Sequence, residues 1–155
     1  MKIIYLHQYF NTPEMPGSSR PYEFAKRLVA MGHEVTMITT YREHYKTNKW
    51  FKTNYDGIQI HWLPLGYSNH MSFFERIKVF FLFAWRAYIK SKKVKGDIIF
   101  ASSTPLTIAI PAVLISKKKK IPMVFEVRDL WPDVPIAMKI LKNPVLIYLA
   151  KLLEI

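Results

Sequence analysis

Five short apolar runs punctuate the chain: 2–7 (KIIYLH), 34–39 (EVTMIT), 58–63 (IQIHWL), 97–101 (DIIFA) and 122–127 (PMVFEV). Between and after them lie segments of helical periodicity. Residues 20–31 place Phe24, Ala25, Leu28 and Val29 on one face, with Gly32 as the expected C-terminal cap. Further helices are expected over 73–93, over 106–116 and from about Pro144 to Ile155, where the chain stops inside an element. Strands alternating with helices predict an α/β fold whose parallel sheet is joined by right-handed crossovers. Mostly continuous rather than alternating apolar runs agree with strands covered on both faces. The segment 40–57 reads as a basic, aromatic loop ending at Asp56-Gly57.

A chain of 155 residues, half of them hydrophobic and 22% charged, is long enough for one domain with a full core. Its formal charge of +12 favours an anionic partner, whether nucleic acid, membrane surface or phosphorylated ligand. The lack of cysteine excludes disulfides, Cys-ligated zinc and thiol nucleophiles. No apolar segment reaches the roughly 20 residues of a membrane span.

Ligands of open parallel sheets sit beyond the C-terminal strand ends, so the loops after the strands carry the candidate chemistry. After the first strand, residues 8–19 lead through Gly17, Ser18 and Ser19 to Arg20 and Pro21 at a helix start. Glycine permits close backbone approach and a helix N-terminus favours anions, so the loop is shaped for phosphate. Simple capping by Ser18 or Ser19 accounts for the same residues. Neither G-x-G-x-x-G nor Gly-Lys-Ser/Thr occurs, which argues against dinucleotide and P-loop sites. The loops at 102–105 and 128–132 are expected as further walls of the same crevice.

Taken in order, KIIYLHQYFNTPEMPGSSRPYEFAKRLVAMGHEVTMIT, DIIFASSTPLTIAIPA and PMVFEVRDLWPDVP resemble the N-terminal half of family-4 retaining glycosyltransferases. The likeness is nearest to the branch that builds capsule, O-antigen and exopolysaccharide chains. It implies a Rossmann-like, acceptor-side domain over 1–155, one half of the two-domain GT-B architecture. The other half would bind a nucleotide sugar and carry Glu-x7-Glu, which does not occur before Ile155. A piece of a longer polypeptide, inactive alone, is therefore expected. No cofactor or metal is expected for it, with a nucleotide sugar as donor of the intact enzyme. The acceptor implied is a polyprenyl-diphosphate-linked or other glycan, used at the cytoplasmic face of the plasma membrane.

By this resemblance Gly17, Ser18, Ser19 and Arg20 approach the donor diphosphate. His7, Tyr9, Phe10, Ser103, Arg128, Asp129 and Trp131 line the acceptor or sugar cleft. Many relatives have His where Arg128 stands, so a neutral imidazole role is unavailable there. Asp129 would bind a sugar hydroxyl or fix Arg128 in place. No catalytic residue is assigned.

The middle of the 73–93 helix is apolar nearly all round and its end is basic. Two explanations stay open: burial on several sides, or contact with anionic membrane through Phe80, Leu82, Phe83, Arg86 and Lys90. The basic, aromatic loop YREHYKTNKWFKTNY could face the acceptor, the membrane or solvent; no nucleic-acid module accompanies it. The five histidines, at 7, 33, 44, 61 and 70, lack metal-binding spacing, and only His7 is expected at the crevice. An alternative from another class is a non-catalytic basic module that binds anionic membrane or a partner protein.

Overall fold

A computed structural model describes residues 1–43, 47–67 and 71–128, with residues 133, 136, 143, 144, 147 and 148 besides. Its six-stranded sheet has the order β3-β4-β2-β1-β5-β6. The strands are β1 (Lys2–Leu6), β2 (Glu34–Tyr41), β3 (Phe51–Tyr55), β4 (Ile58–Pro64), β5 (Ile98–Ser102) and β6 (Met123–Glu126). The helices are α1 (Arg20–Ala30), α2 (Phe73–Lys92) and α3 (Ala109–Lys119), the last entered through a 3-10 turn at Leu106–Ile108.

Five strands are parallel, as their apolar runs predict, and one is not. The expected loop 40–57 contains β3, which pairs antiparallel with β4 from Phe51↔Trp62 to Tyr55↔Ile58. Asp56 and Gly57, at φ +48° and +77°, form the connection. Two positive φ values match the right-handed twist of a two-residue hairpin, which is why Asp-Gly closes it. The strand is hard to see in the sequence because its short alternation, Phe51, Thr53 and Tyr55 against Lys52 and Asn54, sits inside a basic stretch and none of its residues is fully buried.

The pleat divides the core into two layers. Ile3 and Tyr5 of β1 and Val35 and Met37 of β2 join Tyr22 and Ala25 of α1 on one face. Ile4 and Leu6 join Phe83 and Ala87 of α2 and Ala112 and Ile115 of α3 on the other. Phe10, expected at the cleft, is instead fully buried, with its ring 5.8 Å from that of Trp62. A large apolar ring gains more by leaving water than a cleft position would give it.

Local chemistry fixes the helix ends. Gly32, at φ +82°, ends α1 with Gly32 N–H on the Val29 carbonyl and His33 N–H on the Leu28 carbonyl. Ser72 and Glu75 form a reciprocal capping box at the start of α2. In that helix Phe83, Ala84, Ala87 and Ser91 are buried, whereas Phe74, Phe81, Leu82 and Trp85 are exposed. Phe83 is therefore a core residue and not a membrane contact. Among the described residues no helix is long and apolar enough to cross a membrane.

Candidate functional site

Strand order reverses between β1 and β5: the connection from β1 carries α1 to one face, and that from β5 carries α3 to the other. Such a reversal leaves a crevice at the C-terminal strand ends. A cleft of about 250 Å³ opens there, and each of the five parallel strands contributes to its lining. His7, Tyr9, Asn11, Gly17 and Ser18 follow β1; Arg42 follows β2 and Tyr67 follows β4. Thr104 follows β5 and Arg128 follows β6.

His7 is 2% exposed, and its Nδ1 lies 3.1 Å from the Ser102 carbonyl oxygen. That acceptor requires N–H at Nδ1, so Nε2 of the neutral ring is an acceptor. Burial lowers the His7 pKa to about 4, assisted by the Arg128 cation and opposed by the Ser102 carbonyl and Glu126. The imidazole thus stays neutral at pH 7.

Gly17 adopts φ +130°, and a Cβ there would lie 2.5 Å from Asn11 Nδ2. Asn11 is itself buried, donating 3.4 Å to the Ser18 carbonyl and accepting from Arg42 Nη2. The same Arg42 nitrogen donates 3.3 Å to the Pro16 carbonyl. The Arg42 guanidinium also lies 5.9 Å from the Tyr9 ring centroid, and Tyr9 packs 5.1 Å from Tyr67. Tyr67 in turn stacks on Phe80 of α2 at 6.2 Å. An aromatic path therefore runs from the cleft to the helix.

The remaining expected residues divide by what they touch. Arg20 does not line the cleft; its guanidinium pairs with Glu126, which also accepts a 2.5 Å hydrogen bond from Ser102 Oγ. Ser19 occupies the N-cap position of α1 without a side-chain capping bond, and Ser18 Oγ accepts from Arg20 N–H at 3.4 Å. Ser103 is buried behind the wall, where its Oγ accepts from Arg128 N–H at 2.9 Å. Asp129 and Trp131 lie outside the described residues. Among the expected membrane contacts, Phe80 is half-buried against Tyr67, and Lys90 lies 5.1 Å above the Trp50 ring. Leu82 and Arg86 are exposed.

Asn11, Arg42, Tyr67 and Glu126 are additions to the residues singled out from the sequence, and Thr104 belongs to the 102–105 loop expected as a wall. Arg42 carried a usable signal, being the first cation after an apolar run and hence at a C-terminal strand end. Among the described residues no group of three or more His, Asp or Glu is arranged around a metal site.

Residues 18–150 match the model of the family described as glycosyl transferase 4-like domain. The chain belongs to that family. No curated protein sequence matches this glycosyl transferase 4-like domain significantly. Among solved structures it is similar to the catalytic domain of starch synthase IV from Arabidopsis thaliana, solved with ADP and acarbose. The TM-score is 0.58 at 14% identity, over 82% of this chain and 34% of that one. A C-terminal domain of a hydrogenase from Pyrococcus furiosus is also similar, with TM-score 0.56 and 15% identity over 81% and 89%. At such identities the likeness shows the fold alone. Together, family and fold make this a Rossmann-like α/β unit similar to a GT-B glycosyltransferase domain, with a general role in glycosyl transfer. The domain spans about a third of the starch synthase chain, at 34%.

Proposed function

We propose that this glycosyl transferase 4-like domain is the acceptor-side half of a retaining enzyme of bacterial surface polysaccharide synthesis. The enzyme would move a sugar from a nucleotide sugar to a lipid-linked glycan or similar acceptor. The observation that supports this reading is the convergence of all five parallel strand ends on one cleft of the glycosyl transferase 4-like fold. In this reading Gly17 and Ser18 meet the donor diphosphate through backbone N–H groups, which a side chain at position 17 would obstruct. His7 offers Nε2 to a sugar hydroxyl, and Tyr9 and Tyr67 supply flat apolar surface for a sugar ring. A donor-binding domain must face this cleft, and the chain alone is expected to be inactive. The test is sugar transfer from labelled nucleotide sugars to lipid extracts by a polypeptide carrying this chain together with a donor-binding domain. Absence of both transfer and nucleotide-sugar binding overturns the reading.

A peripheral position at the cytoplasmic membrane face belongs to the same proposal. The outward face of α2 presents Phe74 (75% exposed), Phe81 (50%), Leu82 (43%) and Trp85 (59%). Cations Lys78, Arg86 and Lys92 lie among them, and Glu75 is the helix's one carboxylate. Aromatic and basic residues on one exposed helix face suit an anionic bilayer surface. Co-sedimentation with anionic but not neutral vesicles is expected, and the double variant Phe81→Ser, Trp85→Ser should abolish it. Vesicle binding without transfer would favour the non-catalytic module instead.

A further inference from the structure

The described lining of the cleft contains two guanidinium groups, Arg42 and Arg128, and no carboxylate. Arg42 is held by neutral acceptors, the Asn11 amide and the Pro16 carbonyl, so its position is fixed while its charge stays uncompensated by them. Both contacts use Nη2, which leaves the Nε–H and Nη1 donors of the fork for a ligand. Arg128 is half-buried, its backbone anchored on Ser103, and no described carboxylate forms an ion pair with it. Glu126, the nearest described acid in sequence, is engaged by Arg20, and Asp129 lies outside the described residues.

Two partly desolvated cations in one small cleft repel each other unless an anion joins them, and a planar fork favours an oxyanion. The same cleft holds the acceptor nitrogen of His7 and the rings of Tyr9 and Tyr67, which suit hydroxyls and a sugar face. We infer that the cleft is specific for an acidic carbohydrate, with a carboxylate or phosphate oxyanion of the sugar held between Arg42 and Arg128. Resting on the acceptor-side reading, this makes the acceptor itself an acidic glycan. Arg42 and Arg128 are then the specificity-determining residues.

The test is titration of the purified 155-residue chain with methyl glucuronide, a methyl glycoside phosphate and the uncharged methyl glucoside, followed by NMR of the arginine Nε–H signals. Binding of the glucuronide, the phosphate or both is expected at least tenfold tighter than the glucoside, with shifts at Arg42 and Arg128. The stronger of the two identifies the oxyanion. Arg128→Gln and Arg42→Gln should each weaken binding at least tenfold; Arg128→Gln keeps the Ser103 anchor, so it tests the site even if the Arg42 variant unfolds. Equal binding of charged and uncharged sugars, or full affinity in Arg128→Gln, overturns the inference. Failure of sugar transfer with anion binding intact would instead count against the enzymatic reading alone.

Discussion

Asn11 and Arg42, 31 positions apart, are joined across the cleft wall by a side-chain hydrogen bond in which the guanidinium donates to Asn11 Oδ1. The amide is a two-sided connector, because its Nδ2 donates to Ser18 in the loop before α1. The β1 loop and the residue after β2 are therefore positioned as a unit. Replacing Asn11 by Ala removes both bonds at a site 3% exposed, which should cost about 1–3 kcal/mol in urea unfolding. Asn11→Asp keeps the Arg42 contact and should cost less, while neutralising Arg42 and weakening any bound anion. Equal stability loss in the two variants would dismiss the connector role.

Gly17 tests the same wall from the other side. A methyl group there meets Asn11 Nδ2 at 2.5 Å while the backbone stays at φ +130°. Gly17→Ala should destabilise the domain by about 1–3 kcal/mol and displace the Arg42 Nε–H resonance. An unchanged resonance would show that the loop tolerates a side chain.

His7 makes stability pH-dependent in a defined direction. Its folded pKa of about 4 lies below the ordinary value of 6.5. The unfolded chain therefore binds the extra proton first, and stability present above pH 6.5 is lost as pH falls toward 4. His61, lowered to about 4 by burial and by Lys90 and Lys52, acts in the same sense. His7→Asn, whose amide can still donate to Ser102, should flatten the fall in Tm between pH 6.5 and 4.5. An unchanged slope would assign the effect elsewhere.

The two faces of α2 should respond oppositely to truncation. Phe83→Ala opens a cavity in the core and should cost about 3–5 kcal/mol. Trp85→Ser, on the 59% exposed side chain, should stay within about 0.5 kcal/mol. Similar losses at both positions would mean that the outer face is covered.

What could be read in advance follows from how local each signal is. Buried parallel strands announce themselves as apolar runs, and the crevice follows from their alternation with helices, which points to His7 and to the loops that carry Tyr9, Gly17, Ser18 and Arg128, while the role of each residue rests on the family resemblance. Membership of a wall depends on partners far along the chain. Nothing within ten residues of Arg42 reveals that Asn11 will hold it, nor does the neighbourhood of Arg20 reveal Glu126. Phe10 and Phe83 were misplaced because aromatic residues serve cores and ligand surfaces alike. The middle of α2 leaves burial and surface contact both open, because apolar residues surround it and only their three-dimensional assignment separates Phe83 inside from Phe81 and Trp85 outside.

The β3–β4 hairpin has a consequence for how the sheet assembles. Tyr55 and Ile58 meet across two residues, whereas Ile3 must find Val35 and then Ile98 across long intervening segments. Chain entropy lost on closing a loop grows with its length, so the hairpin is the pairing least opposed by it. All the parallel pairings are deferred until a crossover has been traversed. The one antiparallel pairing is thus the only one in the described sheet whose hydrogen bonds form without a crossover having to be closed first.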